Sequence, residues 1–98
     1  MEVLIKIEKN TEDIKKILMG DDVVGRSSIL FREASSLGMK EKCYYCLISG
    51  TEEQCQQAKK MVEDKAELVE GEEKQKIIQK IRLEEEKAAE GFGAIFKL

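Results

Sequence analysis

Residues 25–39 read GRSSILFREASSLGM, and the way this stretch folds sets the order of elements in the whole chain. As a strand it would place Ile29 and Phe31 on one face with Glu33. As a helix it aligns Leu30, Phe31, Ala34 and Leu37 on one stripe, with Gly38 where a left-handed C-cap belongs. The stripe and the glycine favour a helix. The strand alternative carries a larger consequence, because such a strand pairs with the next one across SSLGMKE (residues 35–41) and gives the order strand-helix-strand-strand-helix-strand.

The flanking segments are easier to read. In EVLIKIE (residues 2–8), Val3, Ile5 and Ile7 alternate with Glu2, Lys6 and Glu8, broken only by Leu4, which is the period of a half-buried strand. NTEDIKKILMG (residues 10–20) offers Asn10 or Thr11 as an N-cap, acids in the first turn, Ile14, Ile17 and Leu18 on one face, and Gly20 as a stop. Cys43 to Ile48 is aromatic and β-compatible, apolar on both faces, and ends at Gly50. Thr51-x-x-Gln54 has the form of a capping box and opens a helix to about residue 64 whose inner face is Cys55, Ala58, Met61 and Val62.

AELVE (residues 66–70) reads as a further short strand. A charged helix follows from Gly71, with Glu70/Lys74 and Glu72/Lys76 at the favourable spacing. Ile77, Ile78 and Ile81 suit a core, whereas EEEKAAE (residues 84–90) suits solvent. Gly91 is expected to end the helix before the apolar FGAIF (residues 92–96).

These elements describe one α+β domain over residues 1–98. The expected architecture is a two-layer sandwich, with a small mixed sheet of three or four strands and helices mainly on one face. Its nearest architecture is ferredoxin-like, extended by a long C-terminal helix, and residues 71–98 are available for oligomerisation.

Composition narrows the function classes. With 98 residues the chain supports a single core, and 42% hydrophobic against 38% charged residues argues against simple disorder. The net charge is -3, and residues 1–50 are balanced while residues 51–98 are acidic, so neither half has the clustered cations that bind nucleic acid. No apolar run reaches the roughly 18 residues of a membrane span, and no leader opens the sequence, so the expected location is the cytoplasm. Histidine is absent, which removes the commonest metal ligand and general base, and the expectation leans against an enzyme and includes no cofactor.

Three segments invite a chemical reading. KCYYCLISG (residues 42–50) holds a Cys-x-x-Cys, and Cys55 follows. In an extended strand, residues three apart point to opposite faces with Cα atoms about 10 Å apart, beyond disulfide reach, and the next helix begins too late to lower either thiol's pKa. Cys43, Cys46 and Cys55 are therefore expected to be small buried hydrophobes, with a redox or metal role as the lesser reading.

The strand's alternation leaves two usable faces. If the helices cover one, Tyr45 and Leu47 on the other would form an interface with a second copy, and Phe92, Ile95 and Phe96 of the tail either join it as an arm or close back as a flap on the chain's own core. GRSS (residues 25–28) is the candidate ligand turn. A helix starting there would aim free N–H groups of Ser27 and Ser28 at an anion, with Arg26 adding charge and Gly25 allowing close approach. A serine N-cap explains the same letters. The leading expectation is a non-enzymatic interaction or regulatory module that forms a homo-oligomer, most simply a dimer. The alternative is a binding protein or sensor for a small anionic ligand at Gly25 to Ser28.

Overall fold

In a computed structural model of the chain, the backbone is described for residues 1–96 and side chains for residues 1–86. The elements run β1 (Glu2–Ile7), α1 (Thr11–Gly20), β2 (Ser28–Glu33), β3 (Tyr44–Ser49), α2 (Glu52–Val62), β4 (Glu67–Val69) and α3 (Gly71–Phe96). Short 3-10 turns at Val24–Arg26 and Ala34–Leu37 flank β2. The chain is an α+β domain with one four-stranded sheet in the order β2-β3-β1-β4. All three pairings are antiparallel, so the sheet is not mixed.

Residues 28–33 are a strand, not the favoured helix. A continuous Ile29-Leu30-Phe31 run satisfies both periods, and β3 decides between them, because Leu30 and Phe31 find Leu47 and Cys46 directly opposite. Only Ala34–Leu37 turns helically. Gly38, at φ 78, does end that short turn, and its amide donates to the Ser35 carbonyl at 3.1 Å.

Both faces of the sheet are covered. On one, Val3, Ile5 and Ile7 of β1 and Cys46 and Ile48 of β3 pack with Ile14 and Leu18 of α1 and Cys55, Ala58 and Val62 of α2. On the other, Leu4, Tyr45, Leu47 and Val69 pack with Ile77, Ile78 and Ile81 of α3 and with Ala34 and Leu37 of the turn. This corrects the expectation that helices lie mainly on one face. Leu4, which interrupts the alternation of β1, is the residue that faces α3, as expected of a central strand buried on both sides.

Local signals explain the helix ends. Thr51 and Gln54 form the reciprocal capping box before α2, the Gln54 amide donating to Thr51 Oγ1 at 3.2 Å and the Thr51 amide to Gln54 Oε1 at 3.0 Å. Asn10 is the N-cap of α1 but sits in left-handed conformation, φ 59, and makes no side-chain cap bond. α3 passes through Gly91 and Gly93 to Phe96 and does not stop at Gly91. Glycine inside a helix costs only about 1 kcal/mol against alanine, and no proline follows to break the ladder.

Candidate functional site

Among the described residues, a group of polar and titratable side chains lies on the α3 side of the sheet, in one cross-strand row. Pairing sets Arg32 of β2 beside Tyr45 of β3, and Tyr45 beside Lys6 of β1. Glu41, in the loop before β3, gathers the row's centre. Its Oε2 takes an ion pair from Lys6 Nζ at 2.9 Å and a hydrogen bond from the Tyr45 hydroxyl at 3.2 Å, and Cys43 Sγ lies 3.7 Å away. At the row's end, Arg32 pairs with Glu84 and Glu85 of α3 at 3.6 and 3.3 Å and donates to the Phe31 carbonyl at 2.9 Å.

The surroundings of Lys6, Glu41, Cys43 and Tyr45 hold these four groups in their resting protonation states. The hydrogen bond to Glu41 raises the Lys6 pKa, so the ammonium is kept, and the same bond lowers that of Glu41. Burial raises the pKa of the Cys43 thiol and the Tyr45 hydroxyl, so both keep their protons. No group is thereby poised as a base or nucleophile near neutral pH. An open cleft of about 530 Å³ runs alongside, with Glu8, Glu33 and Glu41 facing Lys40 and Lys42, a mixture that favours neither sign of ligand.

The Cys-x-x-Cys is divided by the sheet, with Cys43 in the core beneath α3 and Cys46 in the core beneath α1 and α2. Cys46 is fully buried and burial alone pushes its thiol up to about 12. Cys55 lies on the Cys46 side, its thiol directed at the Met1 carbonyl at 3.4 Å. All three are free and buried, and no trio of His, Cys, Asp or Glu side chains forms a metal-binding group among the described residues.

At GRSS the helix that would have offered free amides is absent. The Ser27 amide and hydroxyl both turn back to the Val24 carbonyl, at 2.9 and 2.6 Å, and close the 3-10 turn. Upstream, the Asp21 carboxylate accepts from the amides of Val23 and Val24 at 3.0 and 2.9 Å. Gly25 has a packing reason to be glycine, since a Cβ there would lie 2.8 Å from the Met19 carbonyl oxygen. Arg26 is exposed beside a shallow hollow shared with Asp22 and Glu53, acids that oppose an anion.

Tyr45 and Leu47 do not lie on an open face: α3 of the same chain covers them, and they are 0% and 3% exposed. The side chains of Phe92, Ile95 and Phe96 lie outside the described residues. The Arg32 and Glu41 contacts are not legible in the sequence, because Glu41 sits in a loop without periodicity and the Glu84 to Glu86 run reads as a solvated face. Lys6 was the available signal, a cation on the same face as Leu4. No helix among the described residues is long and apolar enough to cross a membrane. No family model, curated protein or solved structure matches the chain.

Proposed function

We propose that this chain is a small non-enzymatic cytoplasmic protein with a ferredoxin-like core that works as a self-associating interaction or regulatory module, most simply as a homodimer. The ferredoxin-like description draws on the element order βαββαβ and the sheet order β2-β3-β1-β4 that precede α3. It transfers no function by itself. Against catalysis stand the absence of histidine from the sequence and the inert protonation of the thiols Cys43 and Cys46 and of the Lys6 amine.

The observation that carries the reading is the length of α3. Among the described side chains its last core residue is Ile81, and the helix continues to Phe96, roughly 20 Å further along its axis. The sequence of that extension ends in FGAIF, and an apolar helical segment is one recurring means of docking in a partner's groove. Light scattering on the full chain and on a chain lacking residues 92–98 tests this. A dimer at tens of micromolar supports the reading, and a monomer in both preparations removes its basis.

Binding of a small anion at Gly25 to Ser28 is the weaker alternative, because Ser27 is engaged within its own turn and Asp22 and Glu53 lie nearby. Thermal shifts with phosphate, nucleotides and carboxylates, compared between the native chain and Arg26→Ala, decide it. Stabilisation that disappears in the variant would revive the site.

A further inference from the structure

The two borders of the sheet differ. β4 is three residues long, a length that leaves little edge to pair with, whereas β2 has six residues and neither proline nor lysine to guard it. Ile29 and Phe31 pack toward the core beneath α1 and α2, and Leu30 toward the core beneath α3, yet all three stay only half-buried. A strand whose three central residues send apolar side chains to both faces, all of them partly exposed, resembles the middle of an interior strand that lacks a neighbour.

The direction of its backbone follows from two hydrogen bonds at the ends of β3. The Ala34 amide donates to the Cys43 carbonyl at 2.9 Å, one step beyond the Glu33↔Tyr44 pair. Antiparallel alternation then turns the amides and carbonyls of Arg32, Leu30 and Ser28 toward β3 and those of Ile29, Phe31 and Glu33 outward. At the opposite end, the Gly50 amide donates to the Met1 carbonyl at 3.1 Å, which turns Tyr45 and Leu47 toward Arg32 and Leu30 and agrees. Two outward carbonyls are engaged by side chains, that of Phe31 by the Arg32 guanidinium and that of Glu33 by the Ser36 hydroxyl. Among the described residues, no side chain engages the amides of Ile29 and Phe31 or the Ile29 carbonyl.

The geometry points to β2 as the dimer interface, pairing antiparallel with β2 of a second copy about a two-fold axis at Leu30 and joining the two sheets into one. This rests on the self-association reading and adds to the α3 extension a second surface, one that the dimer also requires. A two-fold axis normal to the sheet sets residues of one face opposite each other, so only a few registers are open. With the axis at Ile29, Arg26 meets Arg32 and Phe31 meets Ser27. With the axis at Phe31, Ile29 meets Glu33 and Leu30 meets Arg32.

With the axis at Leu30, Leu30 meets itself, Ile29 meets Phe31 and Ser28 meets Arg32. Apolar residues then face apolar ones and no like charges oppose. Ile29 and Phe31 are the outward-pointing residues, so each such pair exchanges both ladder hydrogen bonds. The second copy's Ile29 amide takes the place of the Arg32 guanidinium at the Phe31 carbonyl. The Arg32 Nη1 released from that carbonyl then has the second copy's Ser28 hydroxyl as its partner, while Nε and Nη2 stay on Glu84 and Glu85.

Cysteine crosslinking tests the register, because the three native thiols are buried. Residues opposite each other in a non-hydrogen-bonded pair have Cα atoms about 4.5 Å apart, within disulfide range. Under mild copper-phenanthroline oxidation, Leu30→Cys is expected to form a covalent dimer about tenfold or more faster than the exposed Ser28→Cys control, since only position 30 meets its own copy within disulfide range. Equal rates overturn the register. In parallel, Ile29→Pro removes an outward amide without removing a bond to β3, and is expected to abolish the dimer mass in light scattering with the circular dichroism spectrum unchanged. A dimer that survives Ile29→Pro and disappears on removing residues 92–98 overturns the edge and leaves self-association standing. A monomeric native chain overturns both, and if Ile29→Pro does not fold, the crosslinking comparison decides alone.

Discussion

Replacing Ile81 with alanine tests whether α3 is an integral cover for the second face of the sheet. Ile81 is 0% exposed, with Ile77 and Ile78 at 2% on the same helix face, against Leu4, Tyr45 and Leu47. Truncating a fully buried isoleucine to alanine costs about 2–5 kcal/mol in lost transfer energy and residual cavity, and alanine's better helix propensity returns only a few tenths. A loss of about 3 kcal/mol in a chain of this size lowers the melting temperature by about 12–24 °C. In urea, with a slope of about 1–3 kcal/mol/M, the same loss moves the midpoint down by about 1–3 M. Leu83→Ala is the control, because Leu83 is 52% exposed on the same helix and its truncation should stay within about 0.5 kcal/mol. Unfolding followed by circular dichroism reads both. An Ile81→Ala midpoint equal to that of Leu83→Ala would refute the packing of α3 on the sheet.

The remaining expectations concern the thiols, the tight turn and the capping box. Cys46 keeps its proton in the fold up to about pH 12, from an ordinary value of 9.0. Its contribution is therefore fully present below pH 9 and is withdrawn as pH rises, because only the unfolded chain releases the proton, at up to about 1.4 kcal/mol per pH unit. Urea midpoints at pH 8 and 10.5 should show the native chain losing about 2 kcal/mol more than Cys46→Ala, and equal losses would contradict the burial of that thiol. An aromatic disulfide reagent at pH 8 should label none of the three cysteines in the folded protein and all of them in urea. Gly25→Ala should cost about 1–3 kcal/mol in thermal unfolding, since its methyl group would press on the Met19 carbonyl, and a neutral result would mean the turn shifts freely. Thr51→Ala should cost about 1 kcal/mol and Thr51→Ser nearly nothing, because the hydroxyl alone caps the Gln54 amide.

Where the letters alone decide an element, a local signal is enough. The alternation in β1, the Thr51-x-x-Gln54 box and the Ile14/Leu18 face each arise from interactions within a few residues, so each is visible in the letters. The separation of Cys43 from Cys46 was legible for the same reason, as strand period sends residues three apart to opposite faces. β2 was not legible, because three apolar residues in a row suit either period and only the partner strand β3 breaks the tie.

The covering of the second face had a trace in Leu4, but its cause lies in Ile77, Ile78 and Ile81, more than seventy residues away along the chain. The polar row was hidden for a similar reason. Arg32 meets Glu84 and Glu85, and Lys6 meets Glu41, through tertiary proximity that no spacing rule encodes. Gly91 misled because a helix end requires more than a glycine; without a following proline or a competing cap the ladder simply continues.

Self-association is read most directly from the mass of the native chain by sedimentation velocity from one to several hundred micromolar. A species of twice the 11.2 kDa chain mass is expected to accumulate with concentration and to be populated at tens of micromolar. A single species at the chain mass throughout that range would contradict it.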